Sequence, residues 1–263
     1  MQIKFLNKML VFFTVFAINS TAFGSIAAIE PPYVMEKSER RVLRLLRYNL
    51  KNCHFNQHEI NRVLFNATCS GYQEVVNQLI NRPDGKIRPD QEGINWALSE
   101  AVRTDYRSII KMIINQAEGQ LRADQRGVNS ALCKATRNGN QSLIEFLLNG
   151  LDSQLQPDQQ GMHWSVSVAA FYGRRDQLEW FLNIPEGQLR PTQDDINRAL
   201  SLAAGERFHL VVEFLLTRPE GQLRPDQNSI IRSYRGAIAN ALPAIIATLE
   251  PFVPAADRQK ILK

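Results

Sequence analysis

Cysteine is scarce, at three residues in 263, and an odd count at wide spacing argues against a disulfide-built scaffold. Cys69 and Cys133 fall inside helical stretches, where a thiol serves as a small core residue. Cys53 and Cys69 are the nearest pair in sequence, should an oxidising compartment join any two. Histidine is nearly as rare: His54, His58, His163 and His209. Only Cys53, His54, His58 and Cys69 gather in one stretch, and they lack the paired short spacings at both ends that a structural zinc site uses. No Gly-rich phosphate loop, Gly-x-Ser-x-Gly or His-Glu-x-x-His occurs. These gaps lead us to expect no catalytic residues, no metal and no cofactor. An enzyme or metal protein built on that Cys/His stretch is the alternative.

Dense runs of one charge are also missing. The formal charge is +5, with 31 Lys and Arg against 26 Asp and Glu, and no stretch has the cationic density of a phosphate-binding surface. Nucleic acid is therefore not expected as a partner. Long apolar runs are confined to the N-terminus. There Lys4 and Lys8 precede the uncharged stretch Met9 to Ile18, and Ala22-Phe23-Gly24 supplies the small residues at which a leader is cut. A second cut could follow Ala27, and an uncleaved anchor is the other reading of this segment. The apolar run falls well short of the roughly 20 residues that span a bilayer. Residues 1–24 read as an export signal and 25–34, with Pro31-Pro32, as a linker. The mature chain is expected to be periplasmic or secreted, not membrane-spanning, and a monomer.

What the sequence does have is a repeat. Ala67, Ala101, Ala135, Ala169, Ala203 and Ala237 stand in one column with a constant step of 34 residues. Gln57, Gln91, Gln125, Gln159, Gln193 and Gln227 form a second column, and Gly85, Gly119, Gly187 and Gly221, with Ser153 between them, a third. Within a unit, Ile94, Ala97, Leu98 and Ala101 trace one stripe of a first helix that either Asp90 or Asn95 would cap. Gly71, Asp105, Gly139 and Gly173 mark a tight turn. Second helices follow at 74–80, 108–114, 143–148, 178–182 and 210–216, with apolar columns led by Val76 and Leu79, and then a Pro/Gly loop. Helices this short cannot bury two stripes alone, so neighbouring units must stack. The expected fold is all-α, an α-solenoid of stacked helix–turn–helix repeats. Residues 35–59 form an N-terminal capping helix and partial repeat, 60–229 five repeats, and 230–263 a C-terminal capping repeat in which Pro251 and Pro254 end the helical region.

Ala199-Leu200-Ser201-Leu202-Ala203-Ala204 followed by Val211-Val212-Glu213-Phe214-Leu215-Leu216, together with the loops Asp90-Gln91-Glu92-Gly93, Asp124-Gln125-Arg126-Gly127 and Asp158-Gln159-Gln160-Gly161, resembles the ankyrin-repeat family over about residues 60–250. The period is 34 where that family has 33, Ile-Asn-x-Ala-Leu replaces its Thr-Pro-Leu-His, and the last two loops lose their Gly. The loops could form the family's β-hairpin fingers or simply feed an earlier-starting helix. The resemblance implies a protein partner held on a face made by first helices and loop tips.

Two residues past the leading Ile, Val or Met of each first helix, a column points away from the stripe: Arg62, Trp96, Ser130, Trp164, Arg198 and Arg232. Trp and Arg are the residue types that dominate interface energetics, which makes this column the candidate partner-binding surface. A loop ladder, Arg88, Arg122, Arg190 and Arg224, would either meet an acidic partner or brace its own Asp neighbours. The reading that follows is an exported, non-enzymatic scaffold for protein–protein interaction. A host-directed bacterial effector is a variant of it, and a structural subunit of a cell-envelope complex an alternative.

Overall fold

The computed structural model describes residues 37–52, 55–82, 87–116, 122–151, 155–185, 187–219 and 222–261. The leader and linker, Cys53, His54, and Gly85, Gly119, Ser153 and Gly221 of the loop column lie outside the described residues. Among the described residues the chain is all-helical, without a strand. The helices are α1 Lys37–Asn52, α2 Gln57–Cys69, α3 Gln73–Ile80, α4 Gln91–Thr104, α5 Arg107–Ile114, α6 Gln125–Asn138, α7 Gln141–Asn149, α8 Gln159–Phe171, α9 Arg175–Leu182, α10 Gln193–Gly205, α11 His209–Leu216, α12 Gln227–Ala239, α13 Pro243–Leu249 and α14 Ala255–Ile261.

They form two compact units, the first running to Val128 and including Leu151–Leu155, the second made of Asn129–Gly150 and the chain from Gln156 onward. In the first unit the first helices α2 and α4 lie side by side, and the second helices α1, α3 and α5 pack in series behind them. In the second unit α8, α10 and α12 make the first-helix row, with α9, α11 and α13 behind. Each unit is thus an α-solenoid segment of stacked helical hairpins. Ile94, Ala97, Leu98 and Ala101 are fully buried, as are Val76, Ile110, Ile144, Leu178 and Val212 of the second helices. Each large aliphatic side chain so buried contributes about 1.5–3 kcal/mol before chain entropy is counted.

The alanine column closes every hairpin. The carbonyls of Ala67, Ala101, Ala135, Ala169, Ala203 and Ala237 accept from the N–H five residues on, at Tyr72, Tyr106, Asn140, Arg174, Phe208 and Leu242, at 2.7–3.1 Å. That bond requires a left-handed residue between the helices. Gly71, Gly139 and Gly173 supply it, and Asp105 does so at φ 56°. Gly173 has a further reason: a Cβ there would come within 2.6 Å of the Phe208 ring. Arg207 (φ 66°) and Ala241 (φ 50°) hold the same conformation without glycine, so the turn persists where its sequence signal has gone.

First helices begin earlier than the apolar stripe indicates. Asp90, and not Asn95, caps α4, its carboxylate accepting from Gly93 N at 2.9 Å, and the helix starts at Gln91. The repeat frame therefore opens on the glutamine column, three residues upstream of 60, and Gln57 starts α2. The helical region also continues past Pro251 and Pro254. Pro251 sits in a 3-10 turn over Glu250–Phe252 and Pro254 immediately precedes α14. A proline is tolerated at the first turn of a helix because its missing N–H has no partner there.

Candidate functional site

Three periodic polar positions hold successive hairpins together. The Asn61 amide donates to the Asp90 carboxylate at 2.8 Å, and Asp90 N returns a bond to Asn61 Oδ1 at 3.1 Å. Asn95 with Asp124 and, in the second unit, Asn129 with Asp158 and Asn197 with Asp226 repeat that two-way clamp, each pair 29 residues apart. Every one of these aspartates also caps its own helix, accepting from Gly93, Gly127, Gly161 or Ser229 N–H. The Asp-x-x-Gly loop is therefore a helix cap joined to the previous hairpin. Its Gly is dictated by the clamp, because a Cβ at Gly127 would lie 2.3 Å from Asn95 Oδ1. Gln57, Gln91, Gln159 and Gln193 add a bond from each amide to the carbonyl of Arg88, Arg122, Arg190 and Arg224. Gln227 makes the equivalent bond to Phe252 O, so the C-terminal turn takes the place of a further loop.

One junction is built differently. His163 replaces the Asn, Thr192 the Asp, and Asp195 the Gly. His163 Nδ1 meets Asp195 Oδ1, while Asp195 Oδ2 accepts from Thr192 N at 2.8 Å and Thr192 Oγ1 at 2.9 Å. Asp195 is 1% exposed, yet its carboxylate is satisfied by three donors. An imidazole backed by a buried carboxylate is an arrangement hydrolases use. Here it lies on a continuous helix, whose interior N–H groups are engaged and form no oxyanion hole. The sequence puts His163 where Asn61, Asn95, Asn129 and Asn197 stand in other repeats, and it lacks Gly in the last two loops. Nothing in it shows that the two positions face each other.

The column beside the clamp faces outward. Arg62 and Trp96 in the first unit, and Ser130, Trp164, Arg198 and Arg232 in the second, are all exposed, with Trp96 at 44% and Trp164 at 38%. Phe171, Tyr172 and Leu210 are further exposed apolar residues of the second unit. In the loop ladder, Arg88, Arg122, Arg190 and Arg224 each accept a glutamine amide on the backbone carbonyl. The carboxylates of Asp90, Asp124 and Asp226 are taken up by caps and Asn amides. Hydrogen bonds from Ser229, and less from Asn197 and the nearby Arg232 charge, hold the Asp226 carboxyl below the usual range.

Buried charge in each unit is structural. Glu39 of α1 accepts from Glu74 N at 2.9 Å and so caps α3, its carboxyl raised by burial against the opposing effect of those bonds. Arg218, 6% exposed, donates to Leu223 O at 2.9 Å and lies over Phe214. The Cys69 thiol lies 3.3 Å from Glu100 Oε1, and burial, helped by that carboxylate, pushes it up to about 12. Cys133 is raised by burial as well, and both thiols are unbridged. His58 and Cys69 occupy opposite ends of α2. At 1.5 Å per residue they stand about 16 Å apart along the axis, too far to ligate one ion. Among the described residues no group of three potential ligands gathers, and no helix is long and apolar enough to cross a membrane. No protein-family model and no curated protein matches the sequence.

Proposed function

We propose that this chain is an exported, non-enzymatic, ankyrin-like scaffold that docks a partner protein on the outward column of its first helices. The observation that carries the reading is a contrast between adjacent positions. The polar residues repeated at Asn61, Asn95, Asn129, His163 and Asn197 are consumed by bonds between hairpins, whereas Trp96 beside Asn95 and Trp164 beside His163 stay 44% and 38% exposed. Large aromatics kept in solvent, among arginines, are the composition of interface anchors. The N-terminal leader supports a periplasmic or secreted location, and N-terminal sequencing of the mature chain would read the cut directly.

The test is capture of a partner from the native cell by the full chain and by a Trp96→Ala/Trp164→Ala variant of unchanged melting temperature. A stoichiometric partner retained by the parent and lost by the variant supports the reading. The same partner retained equally by both removes it.

A further inference from the structure

The exposed face of α8, α10 and α12 has a chemistry of its own. Trp164, Arg198 and Arg232 occupy one register position on three helices, α10 packing against both α8 and α12. Packed helix axes lie about 8–10 Å apart, so the three side chains form a row. Arg235 stands one turn beyond Arg232 on the same face, also exposed. Among the described residues no carboxylate forms an ion pair with Arg198, Arg232 or Arg235. Of the nearby aspartates, Asp195 is buried against His163 and Asp158 and Asp226 cap helices, Asp226 also feeling the charge of Arg232. Asp194, exposed one turn before Arg198, adds a carboxylate to this face.

Gly236 lies one turn past Arg232, in the interior of α12. A Cβ there would meet nothing within 4 Å, and its backbone is not left-handed. Neither packing nor geometry within the chain calls for glycine, which costs a helix interior about 1 kcal/mol against alanine. The usual use of a helical glycine is close approach of another backbone, and the described residues supply none.

Resting on the docking reading above, we infer that this row receives an acidic, extended segment of a partner protein. Its carboxylates pair with Arg198, Arg232 and Arg235, an apolar side chain lies on Trp164, and its backbone closes on Gly236. Guanidinium forks match carboxylates bidentately. Nucleic acid fits less well, because its affinity grows with the number of phosphates neutralised and this row offers three cations.

Fluorescence anisotropy with the full chain tests this, using three probes: a labelled peptide of alternating Glu and Leu, the same peptide with Lys for Glu, and an oligo-dT of equal charge. The variants are Arg198→Glu/Arg232→Glu, Trp164→Ala, and Lys260→Glu as a remote charge control on α14. The expected result is binding of the Glu peptide alone, weakened about 10-fold or more by Arg198→Glu/Arg232→Glu, a few-fold by Trp164→Ala and not by Lys260→Glu. Binding of no probe, preference for the oligonucleotide, or equal weakening by Lys260→Glu overturns the inference. If the Lys peptide binds and Trp164→Ala abolishes it, the acidic assignment fails while the docking reading stands. If every variant binds the Glu peptide as the parent does, both fail.

Discussion

Asn95 and Trp96 are neighbours on one helix, and they belong to different regions of the molecule. Asn95 gives its amide to Asp124 of the next hairpin and accepts a bond back. Trp96 leaves 44% of its surface in water. The contrast extends along the repeat. Over the five junctions from Asn61 to Asn197 the inner column varies once, at His163, and there Thr192 and Asp195 change with it so that every polar atom of the buried carboxylate keeps a donor. The outer column reads Arg, Trp, Ser, Trp, Arg, Arg, every member exposed. Buried polar positions are constrained by the cost of an unmade bond, and the outward ones are left for an outside partner to constrain.

The largest disturbance should come from breaking the unusual junction. His163→Ala leaves Asp195 buried with one donor fewer and is expected to cost about 3 kcal/mol in urea unfolding. Adding Thr192→Asp and Asp195→Gly with His163→Asn rebuilds the common clamp and should recover most of that loss. A triple variant no more stable than His163→Ala would show that the junctions are not interchangeable. A smaller effect, of opposite sign, is expected at the turn. Ala241 holds φ 50° where three other hairpins have glycine, so Ala241→Gly should stabilise by about 1 kcal/mol. Destabilisation in a thermal melt would mean that the methyl group packs.

Least perturbing of all is a chemical probe of the inner side. With its thiol pushed up to about 12, Cys69 should be alkylated by iodoacetamide at pH 8 far more slowly than free cysteine. Mass mapping of the labelled chain checks this, and labelling of native Cys69 at the free-thiol rate would place it outside the packed side.

Much of this was legible before any coordinates, because a strict period converts weak local signals into columns. The alanine column, the apolar stripes and the outward placing of Trp96 and Trp164 all follow from helical periodicity alone. What stayed hidden involves partners about one repeat away or turns whose usual residue is missing. Asp90 and Asn95 competed as caps of one helix, when Asp90 caps it and Asn95 reaches the next hairpin. The left-handed residues Arg207 and Ala241 carry no glycine to mark them, and the C-terminal prolines, expected to end the helical region, begin a further turn and a further helix. The glutamine bonds to the loop carbonyls of Arg88, Arg122, Arg190 and Arg224 were hidden too, because any residue has a backbone carbonyl.

The separation of inner and outer columns is tested most directly by urea unfolding of Asn95→Ala and Trp96→Ala measured side by side. The clamp predicts a loss of about 1–3 kcal/mol for Asn95→Ala and a change within about 0.5 kcal/mol for Trp96→Ala. A stable Asn95→Ala beside an unfolded Trp96→Ala would contradict it.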